Sequence, residues 1–353
     1  MSGGVDSSVV AARVAAAGLR AVGITLAMWS GDRELVRDRG CCSIDAIDDA
    51  RRVATHLGIP HYAWNLEREF EANVIDDFLA EHRLGRTPNP CVRCNPRIKF
   101  GVLLERARAI GATHLATGHY ALIGHRGTLL TLHRAVDASR DQAYVLHRLS
   151  QDQLGAAVFP LGAAVSKQAV RAEAAALGLS TAGKPESQDL CFVKSTVAEE
   201  LRRRLPEAVT PGVVVDTAGR TIGTHPGLPL LTVGQRTGFS VRAGRPDARP
   251  LYVLELRVTD NAVMVGPREA LERHRISAAD CSWVAGRPPA AGTRCAAQLR
   301  SHGTAHRVRV RHAAGASVEL RFTGGVGQVS PGQSVVLYRH DEVLGGGIIR
   351  RTA

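Results

Sequence analysis

Three stretches of this 353-residue chain carry residue types at spacings that suit chemistry. The first is Ser2-Gly3-Gly4-Val5-Asp6-Ser7-Ser8, directly before an alanine-rich helical run. Paired glycines let backbone N–H groups close on an anion without Cβ obstruction, and the first amides of a helix favour phosphate. Asp6 suits a metal ion, such as Mg2+, that neutralises phosphates. The G-x-x-x-x-G-K-[ST] spacing of a Walker A loop is absent, with its lysine. The second stretch holds Cys91 and Cys94 within Thr87-Pro88-Asn89-Pro90-Cys91-Val92-Arg93-Cys94-Asn95. Cysteines at this spacing share a metal ion or form a disulfide, and Arg93 and Arg97 would favour a thiolate. A tetrahedral zinc site needs four ligands, and no second C-x-x-C exists. The third stretch, Glu186-Ser187-Gln188-Asp189-Leu190-Cys191-Phe192, follows a polar loop that would leave Cys191 partly exposed. Two reactive cysteines on different loops suit sulfur transfer: one carries a persulfide, and a transient disulfide resolves the leftover sulfur. The alternative is a [4Fe–4S] cluster on Cys91, Cys94 and Cys191 with one iron site open.

Residues of similar type have plainer readings. Cys41-Cys42 reads as packing, and Cys281 and Cys295 as core of a β region. Arg202-Arg203-Arg204 reads either as a solvated helix face or as a phosphate contact. The composition is 44% apolar, enough for a sizeable core, with no apolar run long enough to span a bilayer. No secretory signal precedes the phosphate loop, so a cytoplasmic, non-membrane protein is expected. Its cysteines are then thiols for chemistry rather than structural disulfides. The net charge is +12, and only four of the 45 basic residues are lysine (Lys99, Lys167, Lys184, Lys194). A GC-rich genome explains arginine over lysine, but not the excess of positive charge, which favours nucleic acid as partner.

These residues need elements to position them. Helical patterns over 7–17, 44–57, 67–83 and 100–110 alternate with β-leaning runs over 21–28, 61–64 and 113–117. That order predicts a parallel sheet covered by helices on both faces, with ligands beyond the carboxyl ends of its strands. The phosphate loop and Gly118-His119 both fall there. A loop of this kind normally follows a buried strand. None precedes Ser2, so a short apolar strand is expected upstream of the numbered start. Residues 150–205 read as mostly helical with a break at 181–189, and 87–95 as an extended entry stiffened by prolines. From Gly212 onward, short Val-rich runs separated by turns predict small antiparallel β modules. Boundaries are placed at 1–200, 201–268 and 269–353.

The loop resembles the PP-loop of the N-type ATP pyrophosphatases, and the whole chain resembles the tRNA-specific 2-thiouridylases (the MnmA, or TrmU, family). The resemblance rests on SGGVDSS, GCCSIDAIDDARRVA, GRTPNPCVRCNPRIKF, ATGHYA, SRDQAYVL, ESQDLCF, TVGQR and LGGGII. It implies an α/β fold: a PP-loop (adenine nucleotide alpha hydrolase-like) domain with a helical tRNA-binding insertion, a small β-rich central domain, and a C-terminal antiparallel β-barrel. It also implies ATP-dependent 2-thiolation of the wobble uridine in tRNAs of the Lys, Glu and Gln type, on a monomer served by a sulfur-donor protein (a cysteine desulfurase or relay). By motif, Cys94 is the nucleophile and Cys191 the persulfide carrier. Ser2, Gly3, Gly4, Val5, Asp6, Ser7, Ser8, Leu26 and Gly118 surround ATP, with Asp6 on Mg2+. Asn89, Pro90, Cys91, His119, Arg140, Asp141, Gln142, Arg309 and Gln333 meet tRNA. Two departures stand out: many members carry Asp at Cys91, and an Arg-Tyr pair of the barrel is Arg309-Val310 here, losing a stacking aromatic. The alternatives are a lysidine or 4-thiouridine synthetase, or a non-adenylating cysteine-cluster RNA-binding relay. The intact phosphate loop speaks against the relay.

The charge yields a measurable expectation. RNA affinity should fall steeply with salt, because each neutralised phosphate releases counterion. Reversing Arg140 should weaken RNA binding and leave RNA-independent ATP turnover unchanged. Filter binding across a salt series checks this, and a flat series would contradict it.

Overall fold

The computed structural model describes residues 1–28, 44–185, 190–193, 195–242 and 249–352. Cys41, Cys42 and the polar stretch 186–189 before Cys191 lie outside these. Helix α1 (Val5–Ala16) begins at Gly4, whose extended backbone (φ −102°, ψ 165°) lets its carbonyl accept from Ser8 N. Val5, Val9, Val10, Ala11 and Ala12 turn its apolar face inward. β1 (Gly23–Ala27) pairs in parallel with β2 (His61–Asn65), and α2 (Ile44–His56) precedes β2. Residues 67–83 form one continuous helix in three pieces: α3 (Glu67–Phe70), a π-turn (Glu71–Ile75) and α4 (Asp76–Arg83).

The second long helix begins ten residues before the sequence places it. α5 (Pro90–Cys94) runs into a nine-residue π-segment (Asn95–Leu103) and then α6 (Leu104–Ala109). The expected extended entry is therefore a helical turn. Asn89 is its N-cap, accepting from Cys91 N at 3.1 Å, and Pro90 occupies the first position, where a missing N–H costs nothing. Pro96 cannot donate within the helix and its ring crowds the preceding turn, a physical reason for wide π-turns immediately after Cys94.

β3 (Leu115–Ala116) pairs in parallel with β6 (Ala157–Val158). Between them lies a hairpin the sequence reading did not anticipate, β4 (Ala121–Arg126) and β5 (Leu129–Arg134). The short helices α7 (Ala143–Leu146), α8 (Gln151–Ala156), α9 (Lys167–Ala176) and α10 (Val197–Arg204) follow. Among the described residues, the expected single parallel sheet is thus two separate two-stranded pairs. Residues 1–6 touch both: the Met1 amine donates to Ile24 O of β1, and Asp6 lies against Gly118 after β3.

The middle unit is a five-stranded sheet of β7 (Gly212–Val215), β8 (Thr221–His225), β9 (Ser240–Val241), β10 (Tyr252–Arg257) and β11 (Ala262–Gly266), ordered β10-β11-β7-β8-β9. The final six strands are β12 (Arg273–Trp283), β13 (Arg294–Gln298), β14 (Ala305–Ala314), β15 (Ser317–Val326), β16 (Ser334–Arg339) and β17 (Glu342–Thr352). They run β12-β15-β14-β13-β16-β17, and β12 also pairs with β17, which closes a barrel. The unforeseen hairpin docks on it, with His133 and Leu132 of β5 opposite Glu342 and Val343 of β17. One apolar core is shared across that junction: Val92, Phe100 and Tyr144 pack with Val336, Tyr338 and Val343 of the barrel. Among the described residues no helix is long and apolar enough to cross a membrane.

Four histidines are buried in this framework, His82, His119, His147 and His225. Burial pushes His82 down to about 4 and His147 to about 3, and holds His119 well below its ordinary value. The unfolded chain takes up these protons near pH 6.5, the folded chain only near its depressed values. Between those limits the unfolded state binds more protons, so stability falls as pH falls. The loss should reach up to about 1.4 kcal/mol per pH unit for each buried histidine. The melting temperature should drop between pH 6.5 and 5, above the main carboxylate range, and His82→Gln should flatten the slope. An unchanged melting temperature across that window would refute the assignment.

Candidate active site

The phosphate loop is built by the start of α1. Gly3 has φ +68°, and a Cβ there would stand 2.3 Å from Ala46 O, so only glycine fits. Ser7 and Ser8 both donate to Gly4 O (3.0 and 2.9 Å), and Ser2 N donates to Ser7 Oγ at 3.0 Å. Val5 is core, and Leu26 packs partly buried on β1. A Cβ on Gly118 would approach Asp6 Cβ to 2.9 Å, so the loop after β3 reaches this helix end only without a side chain. Each Asp6 oxygen has one partner and keeps a second lone pair: Tyr120 Oη donates to Oδ1 at 2.7 Å and Lys167 Nζ to Oδ2 at 2.6 Å. Lys167, buried at the first turn of α9, is the residue sequence reasoning missed. Its signal was there: it is one of four lysines in an arginine-rich chain, behind the N-cap Ser166. The residues fit a nucleotide polyphosphate, with amides, hydroxyls and an ammonium around the loop and a carboxylate for a cation.

Cys94 is buried in a cluster with Met28, Leu66, Phe70, Phe78 and Phe192, and Cys191 packs partly buried against the same cluster. Ile24 and Leu26 of β1 and Leu115 of β3 also meet it. Two thiols far apart in sequence thus pack on one cluster, which also receives side chains of β1 and β3. Cys91 is exposed. The iron–sulfur alternative finds no support here: Cys91 is exposed while Cys94 is buried, and among the described residues no three Cys, His, Asp or Glu side chains converge as metal ligands. The expectation that Arg93 and Arg97 act on the thiol is also qualified. Arg93 bonds Asp77 (3.2 Å) and Asp280 (2.5 Å), and Arg97 pairs with Asp77 at 3.6 Å, so carboxylates offset both charges. Burial pushes the Cys281 thiol up to about 12 and that of Cys295 to about 11, which fits their reading as core.

Of the residues expected at RNA, several are committed internally. Asn89 caps α5 and Pro90 is buried. His119 is buried with Nδ1 2.8 Å from Thr117 Oγ1, against the mutually packed rings of Phe100 and Phe159. Asp141 pairs with Arg134 at 2.8 Å and accepts from Ala135 and Ala143 N, and Gln142 Oε1 accepts from Tyr120 N. Arg140, half-buried, stands on the same turn. Gln333 Nε2 donates to Thr87 O at 2.6 Å, joining the barrel to the cysteine segment. Arg309 is exposed and does not stand alone. Arg294, Arg309, Arg321 and Arg275 lie directly opposite one another across β13, β14, β15 and β12, all exposed and without an ion pair among the described residues. Like charges in register are unfavourable in a sheet unless an anion relieves them. Val310 points the other way, fully buried in the barrel core, so an aromatic at that position would fill the interior rather than the outer face.

Comparison with known proteins agrees with this architecture. Three family models tile the chain: a tRNA methyl transferase HUP domain over residues 1–195, a tRNA methyl transferase PRC-barrel domain over 199–267, and an aminomethyltransferase beta-barrel domain over 273–349. Curated relatives named tRNA-specific 2-thiouridylase MnmA match end to end. That of Acidothermus cellulolyticus is 47% identical over 100% of this chain and 96% of its own length. That of Micrococcus luteus is 46% identical over 98% and 94%, and that of Roseiflexus castenholzii 44% over 99% and 98%. With a nucleotide loop, two gathered thiols and a closed barrel in one chain, and relatives this similar over its full length, this protein belongs to the MnmA family of tRNA-specific 2-thiouridylases.

Proposed function

We propose that this chain is an ATP-dependent tRNA sulfurtransferase that converts the wobble uridine to 2-thiouridine. The observation that carries the reading is the packing of Cys94 and Cys191 on one cluster that also takes in Ile24 and Leu26 of β1 and Leu115 of β3. In the proposed sequence, the uracil C2 oxygen attacks the α-phosphorus of ATP and pyrophosphate leaves. The loop amides and Lys167 balance the phosphate charge, which is the usual source of rate in phosphoryl chemistry. A magnesium ion on Asp6 would add to that neutralisation. The terminal sulfur of a Cys191 persulfide then adds to C2 and AMP departs. Cys94 attacks the Cys191 sulfur, forming a disulfide and freeing the thiolated base, and an external dithiol returns both cysteines to the reduced state. A buried, apolar setting for Cys94 keeps water from competing for the activated carbon. The exposed arginine row of the barrel is suited to an RNA backbone.

Incubation with unmodified tRNA, ATP and a persulfide donor, followed by nucleoside mass spectrometry, tests the proposal. Formation of 2-thiouridine at the wobble position is expected, and none would refute it. Cys94→Ser and Cys191→Ser should each abolish product, because a hydroxyl neither carries a persulfide nor closes the disulfide. Cys191→Ser should also lose reductant-releasable sulfur. Cys91→Ser should slow the reaction only modestly, and loss of all activity there would contradict the two-cysteine scheme. Lys167→Ala should cut the adenylation step by about 10²-fold, the usual cost of removing one charge-stabilising group. Asp6→Ala should abolish adenylation while tRNA binding persists.

A further inference from the structure

We propose that the barrel is a working part of the cysteine site, with Asp280 as the positioning residue that sets Cys94 by way of Arg93. The proposal rests on the reading of Cys94 as the reacting thiol. α5 is the first turn of the helix that continues through the π-segment and α6, and the barrel packs on that turn. The barrel touches it on both sides of Cys91. At the entry, Thr87 N donates to Pro331 O (2.9 Å) and Thr87 O accepts from Gln333 Nε2 (2.6 Å). Gly332 lies so close that a Cβ would stand 2.8 Å from Thr87 N. At the far end, Val92 is buried in the core that contains Val284, Val336, Tyr338 and Val343 of the barrel domain. Arg93, next to Cys94 and itself buried, reaches Asp280 Oδ2.

Asp280 is unusual in its strand. Its φ is +51°, a region L-residues enter at a cost and keep where their surroundings hold them, Asp being among the more tolerant. The β12–β17 ladder breaks register between Ala279 and Ser282, which frees Asp280 from regular pairing. Its carboxylate is divided between two arginines of the first domain: Oδ2 takes Arg93, and Oδ1 takes Arg148 at 2.8 Å. Arg148 also donates to Asp280 O. A bulge of the barrel thus presents an anion to the residue that precedes the thiol.

The test uses the full chain with Asp280→Gly, which removes the carboxylate at a φ glycine adopts freely, and Asp280→Asn, which keeps the shape and loses the charge. Cys94 alkylation by iodoacetamide is followed by peptide mass spectrometry without substrates, with Cys91 and Cys191 as internal references. In Asp280→Gly, Cys94 alkylation should rise about tenfold and thiolation kcat fall about tenfold, as displacement of a reacting group predicts. The tRNA KM should hold within about twofold, since docking is untouched. Asp280→Asn should lie between, and it carries the comparison if the glycine variant loses its circular dichroism spectrum. Wild-type alkylation and kcat in both variants would overturn the proposal. So would a raised tRNA KM at unchanged kcat, which would assign Asp280 to RNA docking. Alkylation needs no turnover, so the positioning result stands apart from full activity in Cys94→Ser, the outcome that would remove the sulfur-transfer reading.

Discussion

A buried guanidinium holds this molecule's parts together. Arg93 sits in the interior beside Cys94, where an unpaired charge is very costly. Burial works against its charge, yet the hydrogen bonds it donates to Asp280 and the nearby Asp77 keep it firmly protonated. One carboxylate comes from α4 and the other from the first strand of the barrel. Satisfying one side chain therefore requires a helix, a cysteine turn and a distant barrel to meet in one geometry. At the same junction the hairpin β4–β5 extends the barrel sheet, and the core around Tyr144 and Tyr338 crosses between the domains.

The charge of the chain divides along the same logic. Many arginines are consumed by internal pairs, among them Arg13 with Glu173, Arg134 with Asp141, Arg204 with Glu200 and Arg350 with Glu81. The Arg202–Arg204 run follows this: Arg203 and Arg204 both pair with Glu200, and Arg204 also reaches Glu71. The more exposed of these, Arg13 with Glu173, adds little stability, roughly 0–1 kcal/mol. What distinguishes the barrel's outer face is that four arginines share one cross-strand row without such partners among the described residues. The excess positive charge is concentrated where a polyanion can lie, while the nucleotide loop keeps a locally balanced Asp6–Lys167 pair.

Helix irregularity is concentrated around Cys94. π-turns are uncommon, and here a nine-residue stretch of them starts at Asn95, directly after Cys94. A second π-turn, Glu71–Ile75, lies in the facing helix and contributes Val74 and Ile75 to the same cluster as Cys94. The cysteine is thus packed by two locally widened helices rather than by regular ones.

Much was legible from residues alone, wherever local physics decides. The glycines and serines of 2–8 dictate an anion loop in any context, because their backbone freedom and hydroxyls act over a few residues. The alternation of β-branched runs with turns marked β7, β10, β11 and β16 nearly to their ends, but only the middle of β14 and the first part of β15. The helix start at Pro90 was equally local, written in Asn89-Pro90, and was missed because a cysteine pair between prolines invites an extended reading. Other features were not in the sequence at any window. The hairpin's docking on β17, the meeting of Cys94 with Cys191, the arginine row and the Asp280–Arg93 bond all depend on register and on contacts between residues far apart in the chain. Composition announces such charges and thiols but not their partners, and only closure of the barrel against the first domain decided which of them would meet.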